Sequence, residues 1–357
     1  MGQTLFPNRL KSVRDLALYL ESAQFGLVRE SLKERQKLLE IANHLVKPVK
    51  FYIPIYKESK RNGWLIILGL SFYYVLSGFS KWGRFKLIPM KNWDEIKGIK
   101  KSGLKIILQY WDGQTDDLKL CEQVAHSATI LGANIVEGAQ CTSIIKQSSG
   151  YKLTYALSND LFEIECSAII NTAGPWANQL LDTVKPKIEP PSINWVQGTH
   201  LLLDIPAAEG IVYLESCFDE RVIFVMPWYG KTLIGTTETS LTCLPEVIKP
   251  TEDEIRYLLG VFVHYFQQYG DINDLRELMI KTFCGVRILP SSKDKAFHTS
   301  RETLMHMDQT HPNFLSVFGG KLTTYRLTAK KTVSWLEKQL GKRHKVADFD
   351  TITLQDN

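Results

Sequence analysis

Apolar residues recur at helical spacing over residues 27–46, with Leu32, Leu38, Leu39, Ala42 and Leu45 on one face, and the run ends before Pro48. That pattern predicts a long amphipathic helix. Asp116 and Asp117 open a second predicted helix that reaches Gly132, followed by a short strand at Ile135-Val136. Thr251 and Glu254 precede Ile255, Leu258, Leu259, Phe262 and Phe266. This is capping-box spacing, in which each of the two side chains accepts an N–H that the helix itself leaves unpaired. The helix it starts is expected to end at Gly270. Between about residues 188 and 237 strand patterns crowd together, and residues 221–237 read as two strands around a Tyr229-Gly230 turn.

Two segments combine a strand, a small-residue turn and a helix start. In residues 315–326, LSVFGGKLTTYR, a β-branched and aromatic run breaks at Gly319-Gly320 and restarts as a helix. Glycines let the backbone take positive φ and approach a ligand closely, and the first N–H groups, around Leu322, Thr323 and Tyr325, have no partner within the helix. Such an end favours an anion or an electron-rich oxygen, and Lys321 adds a full positive charge there. For a single instance, an ordinary turn with a solvated lysine is the plainer reading. The second instance is residues 162–171, read as one strand, running into Thr172-Ala173-Gly174-Pro175-Trp176 and a helical stretch at 177–184. In Cys284-Gly285-Val286-Arg287-Ile288-Leu289-Pro290 an arginine sits among apolar neighbours, where burial without an anion or a carboxylate would be costly.

Composition narrows the class. The 357 residues are 44% hydrophobic and 23% charged, an ordinary globular balance with room for two domains. Six cysteines show no CxxC pair and read as reduced core residues of a cytoplasmic protein; the histidines show no zinc-type spacing. The amino terminus lacks the apolar core of a secretion signal. The net charge of +5 comes without the clustered arginines and aromatics of a nucleic-acid site. Residues 62–80, NGWLIILGLSFYYVLSGFS, carry no charge and are flanked by Lys57, Lys60, Arg61, Lys81, Arg84 and Lys86. The strongly apolar heart, residues 64–76, is shorter than the roughly 20 residues of a spanning helix. A helix lying in a membrane interface with basic flanks on anionic lipid fits better, a core helix being the next reading and a span the last.

The motifs NTAGPWANQLLD, QGTHLLL, RVIFVMPWYGKTLIGTTET, PTEDEIRYLLGVF, CGVRILP and LSVFGGKLTTYR, in this order, resemble the FAD-dependent glycerol-3-phosphate dehydrogenases. Upstream, LQYWDGQTDDLKL is similar to that family's "YYDGQ-x-DDARL" segment and YLESAQFGLVRESLKERQKLL to its first long helix, so the match runs from about residue 19 to 336. The resemblance implies a mixed α/β fold: a flavin-binding layer of the glutathione-reductase and amino-acid-oxidase type, with a largely antiparallel substrate-binding sheet inserted into it. The expected division is a partial FAD-binding part from 1–50, 100–185 and 312–342, a substrate sheet from 51–99 and 186–311 with membrane contact at 62–80, and a tail at 343–357.

The resemblance also implies a reaction, the oxidation of glycerol 3-phosphate to dihydroxyacetone phosphate on FAD with electrons passed to quinone. It places Gly174, Gly319, Gly320, Lys321, Leu322 and Thr323 at the cofactor, and Arg287, Arg301, Lys321 and Tyr19 at the substrate. His200 matches a family histidine that could take the hydroxyl proton near neutral pH, a structural histidine being the alternative. Gln197 stands where the family has lysine, and Glu238 where it usually has aspartate; the simplest reading of Glu238 is a turn residue.

Two family features are missing. The sequence holds no GxGxxG turn for the FAD pyrophosphate, and the His-Gly-Gly-x-Arg run ahead of the first helix is replaced around Arg14, Asp15, Leu16 and Leu18. Three charge-assisted hydrogen bonds lost at the pyrophosphate would remove roughly 5–9 kcal/mol of binding. The sequence therefore carries a second expectation: a chain truncated at both ends, either a non-catalytic remnant or one half of a split enzyme completed by a separate chain.

Overall fold

The computed structural model describes residues 25–290 and 303–354. Helix α1 (Phe25–Ile41) leads through a turn into β1 (Lys47–Tyr56), which contains Pro48; α2 (Gly63–Leu76), β2 (Phe85–Ile88) and β3 (Leu104–Gln114) follow. Then come α3 (Asp117–Ile130), β4 (Gln140–Lys146), β5 (Tyr151–Leu157), β6 (Asp160–Cys166), β7 (Ile169–Asn171), α4 (Ala177–Leu181) and β8 (Val184–Lys185). The middle of the chain supplies β9 (Ile193–Pro206), β10 (Ile211–Glu215), β11 (Val222–Trp228), β12 (Lys231–Gly235) and β13 (Thr239–Leu241). Helices α5 (Glu252–Tyr265) and α6 (Ile272–Glu277), strands β14 (Met279–Pro290), β15 (Leu304–Asp308) and β16 (His311–Phe318), and α7 (Tyr325–Leu340) complete the described elements.

Nine strands form one sheet in the order β13-β9-β12-β11-β10-β1-β3-β2, with β14 also paired to β9. Every pair is antiparallel except β1 with β10. Alternation decides the two faces. Val212, Leu214, Ile223 and Val225 pack against Leu258, Leu259 and Phe262 of α5, while Ile211, Tyr213, Val222 and Phe224 pack against Leu32 of α1 and Leu70 and Tyr73 of α2. With both faces covered, strands such as β11 read as unbroken apolar runs. The hairpin between β11 and β12 turns on Tyr229 and Gly230, both at positive φ (47 and 79°), the two-residue geometry that matches strand twist.

Two smaller sheets complete the architecture. β15, β16 and β7 form one, with β16 and β7 parallel; β6, β5, β4 and β8 form the other. A shared cluster that includes Ile144, Ile169, Leu181, Phe314 and Ile288 joins both of them to the end of the large sheet. The fold is mixed α/β with a largely antiparallel main sheet.

Several local expectations differ from the structure. Residues 162–171 are not one strand: β6 and β7 separate at Ser167-Ala168 and enter different sheets. Ile135 and Val136 are exposed and pair with no strand among the described residues. Helix α5 ends at Tyr265 and only a 3-10 turn, Gln267–Tyr269, carries on to Gly270. The cysteines form no disulfide among the described residues, yet Cys121, Cys217 and Cys243 are exposed and none of the six is fully buried. Helix α2 spans 14 residues, and no described helix is long and apolar enough to cross a membrane.

Helix α1 is held by two buried charges that are adjacent in sequence. Arg35 donates to Asp112 Oδ1 at 3.3 Å, to the Trp111 carbonyl at 3.3 Å and to the Tyr73 hydroxyl, so it joins α1 to β3 and α2. Glu34 accepts from Arg326 of α7 at 3.1 Å, and Arg326 also donates to the Phe349 carbonyl at 2.7 Å. Removing one partner of a buried pair leaves a charge without compensation. Arg35→Ala is expected to lower the unfolding free energy by about 3–5 kcal/mol in urea titration; a loss under about 1 kcal/mol would reduce this pair to the rank of a surface bridge.

Candidate active site

The parallel pairing of β7 with β16 sets Ser316 beside Asn171, so both strands end on the same side of their sheet. Their following turns, Thr172 to Trp176 and Gly319-Gly320, therefore emerge next to each other at the carboxyl edge. In open α/β sheets that edge is where ligands bind. Asn171 fixes the arrangement: its buried amide donates to Ser316 Oγ at 3.2 Å and to the Ala177 carbonyl at 2.9 Å, and its Oδ1 accepts from Ala173 N–H at 3.1 Å. One side chain thus joins the two strands and the start of α4.

Gly319 and Gly320 both have positive φ, 74 and 90°, and a Cβ on Gly320 would meet Thr303 Oγ1 at 2.9 Å. Lys321 caps a 3-10 turn, Leu322–Thr324, that leads into α7. Thr324 N–H bonds to the Lys321 carbonyl, so the Leu322 and Thr323 N–H groups lie ahead of the helical ladder. Leu322 and Tyr325 pack into the cluster under α1 with Leu38 and Ala42. The turn is consequently braced from below and open above, where both glycines are exposed. At the neighbouring turn, Gly174 also has positive φ (56°) and faces open space. These two glycine turns with Lys321 fit the electron-rich edge of a flavin ring. Nothing in the sequence supplies the corresponding GxGxxG cradle for the pyrophosphate.

The large sheet approaches the same edge. Trp195 of β9 donates its indole N–H to the Pro175 carbonyl at 3.1 Å, and it pairs across the ladder with Ile288, the residue after Arg287. Arg287 itself bonds to Glu238 Oε1 at 2.6 Å, both side chains being mostly buried. Glu238 is therefore more than a turn residue, because it supplies the carboxylate that an arginine among apolar neighbours requires. His200 lies on the same face of the sheet as Arg287, since each is directly opposite its ladder partner, Phe283 for His200 and Val196 for Arg287. The two are four residues apart along the strand, roughly 13 Å. His200 is only 5% exposed and lies over Gly235, where a Cβ would come within 2.1 Å of its ring. Tyr19, Arg301 and the segment from Arg14 to Leu18 fall outside the described residues.

On the opposite face, Glu254 organises the strands that carry these residues. It accepts from Thr237 Oγ1 at 2.7 Å and Thr239 Oγ1 at 2.9 Å with one oxygen, and from Gln197 Nε2 at 2.8 Å, Thr199 Oγ1 at 3.0 Å and Thr251 N–H at 3.0 Å with the other. Burial alone would push the carboxyl up, but the hydrogen bonds from Thr237, Thr251, Gln197 and Thr239 outweigh it and hold the group below its ordinary range. Gln197, which replaces a lysine of the resembling family, thus serves this carboxylate. The capping box was readable from spacing; the remaining donors, from distant strands, carried no local signal.

A carboxyl lowered in the folded state contributes stability that is complete above its unfolded pKa and disappears as pH falls through the folded value. Glu254→Gln is accordingly expected to flatten the acid limb of the melting-temperature profile below about pH 4. Glu254→Ala, which strands several donors, should cost about 3–5 kcal/mol near neutrality. Unchanged acid limbs in both variants would remove Glu254 from this role.

A family model described as FAD dependent oxidoreductase matches residues 10–333. A glycerol-3-phosphate dehydrogenase of Synechocystis sp. is 31% identical over 348 residues, covering 92% of this chain and 62% of that protein. A D-erythritol 1-phosphate dehydrogenase of Brucella abortus is 31% identical over 320 residues, covering 88% and 62%. The chain thus spans about three-fifths of the length of these relatives. Among solved structures, the glycerol-3-phosphate dehydrogenase from Bacillus halodurans complexed with FAD superposes with a TM-score of 0.73 at 21% identity, covering 99% of this chain and 60% of that one. The shared fold, the two glycine turns at one sheet edge and the family match over most of the sequence agree: the chain belongs to the FAD-dependent oxidoreductase family.

Proposed function

We propose that the chain carries the flavin-ring and substrate part of a glycerol-3-phosphate dehydrogenase, oxidising glycerol 3-phosphate to dihydroxyacetone phosphate. The observation that supports this reading is the emergence of the two glycine turns side by side at one sheet edge, to which the strands β9 and β14 that carry His200 and Arg287 are tied by the Trp195–Pro175 hydrogen bond. Gly174, Gly319, Gly320, Lys321, Leu322 and Thr323 would hold the ring end of FAD, which when bound supplies the hydride acceptor. Lys321 and the leading N–H groups favour negative charge at that position.

Arg287 is the anchor for the substrate phosphate. A guanidinium has five N–H donors in a fixed fork, so Arg287 can keep Glu238 and bind a phosphate as well. Glu238 orients the fork. His200 takes the hydroxyl proton; its seat over Gly235 limits its motion and excludes water from one side of the ring. Arg301 and Tyr19 complete the proposed substrate contacts. Electrons pass on to a quinone, with α2 lying in the membrane interface and the protein on the cytoplasmic side.

The sequence also has no GxGxxG turn, and this favours a second reading, in which the chain is a non-catalytic relative or needs a separate chain for the pyrophosphate. Absorption spectra of the purified chain with FAD, and then with glycerol 3-phosphate without air, separate the two. A flavin band that bleaches on substrate addition supports the dehydrogenase; no retained flavin supports the second reading. In an active preparation Arg287→Ala should lower turnover of glycerol 3-phosphate roughly a hundredfold or more. Turnover close to that of the parent would eliminate Arg287 as the anchor.

A further inference from the structure

After β1 the chain turns into α2 and leaves a cleft of about 610 Å³ between that turn, the start of α2, and strands β2 and β3. Lys57, Lys60, Arg61 and Lys105 line its polar side, and Trp64 and Leu87 its apolar side. Arg61 pairs with Glu215 at 3.4 Å, and Lys60 donates to the Asp219 carbonyl at 3.0 Å. Lys57 and Lys105 have no ion pair among the described residues and are exposed. The nearest carboxylate in sequence, Glu58, lies over Gly103, where a Cβ would meet its Oε2 at 3.2 Å. The cleft therefore has a surplus of positive charge.

The helix beside it has an uncovered apolar face. Gly69, Leu70 and Tyr73 are buried against the sheet, whereas Trp64 is 78% exposed and Leu68 66% exposed. Leu65 and Leu87 are more than half exposed next to them, and no charged residue occurs anywhere in α2. A soluble anion would use the lysines and leave the apolar face wet; an apolar partner would leave the lysines without countercharge. A phosphate group attached to hydrocarbon satisfies both.

We propose that this cleft receives the phosphate headgroup of an anionic phospholipid at a bilayer surface, with Lys57 and Lys105 on the phosphate and Trp64, Leu65, Leu68 and Leu87 among the headgroups and upper acyl chains. The proposal rests on the reading of α2 as an interfacial helix on anionic lipid and adds to it a headgroup site with named residues. Charge complementarity selects anionic over neutral lipid, since each lysine near such a surface strengthens binding by about fivefold. The amphipathic bodies of Trp64 and the lysine stems suit the same depth.

The test is co-sedimentation of the full chain with vesicles of phosphatidylcholine alone and with vesicles of equal phosphatidylcholine and phosphatidylglycerol. Binding is expected to be much stronger to the anionic vesicles, and the double variant Lys57→Ala/Lys105→Ala should reduce it about twenty-fivefold. A charge-matched control outside the cleft, Lys81→Ala/Lys86→Ala, should lose clearly less, and Trp64→Ala/Leu68→Ala should weaken binding to both vesicle types. The six side chains changed are exposed, and the four lysines among them form no ion pair among the described residues, so thermal melts of the variants should match the parent. Equal binding to both vesicle types overturns the headgroup site and leaves the interfacial helix standing. Equal losses in the two lysine variants also overturn it, because diffuse charge would then suffice. No binding to either vesicle overturns the interfacial helix as well. Calorimetric binding of inorganic phosphate that the Lys57→Ala/Lys105→Ala variant abolishes, in a chain that ignores vesicles, would assign the cleft to a soluble anion instead.

Discussion

A single buried carboxylate, Glu254, holds the strands that present the candidate site. Its two oxygens gather donors from β9, from the segment between β12 and β13, from β13 and from the turn before α5. A charge in that position would be expelled if its partners were fewer, since burial penalises the ionised form. Five donors reverse the balance. The cap of α5 and the spacing of β9 and β13 thus become one cooperative unit, and Glu238, one residue from Thr237 and Thr239, inherits its position from that unit.

A different constraint governs the edge that carries the two glycine turns. Two turns from segments some 145 residues apart must emerge side by side, and the parallel register of β7 with β16 accomplishes this before any side chain is considered. Asn171 then locks the pair, while α1 braces the underside through apolar contacts and the Glu34–Arg326 ion pair. The arginine that closes the LSVFGGKLTTYR motif is therefore turned inward and structural, whereas the lysine five residues earlier stands at the carboxyl edge of the sheet, beside the glycine turn.

Features that depend on neighbours in sequence were legible. The Thr251–Glu254 cap, the Tyr229-Gly230 hairpin and the strand, glycine turn and helix around Gly319 all rest on local backbone chemistry, and the structure shows each of them. Features set by distant partners were not. Nothing near Glu238 announces Arg287, nothing near Asn171 announces Ser316, and the apolar pair Ile135-Val136 resembled a strand only because a sequence cannot show that no edge awaits it. The break between β6 and β7 was hidden for the same reason, as both pieces have strand composition and only their sheets differ. Motif order supplied the family, while the placement of Arg301 and Tyr19 lies outside the described residues.

The two glycine turns hang from the three-stranded sheet and Arg287 from the nine-stranded one, and the Trp195 indole and a shared apolar cluster are where these sheets meet. Ile169, Phe314 and Ile288 belong to that cluster, so the volume of these side chains sets how closely the two sheets approach. The spacing between the glycine turns and Arg287 is thereby set by apolar packing that touches neither.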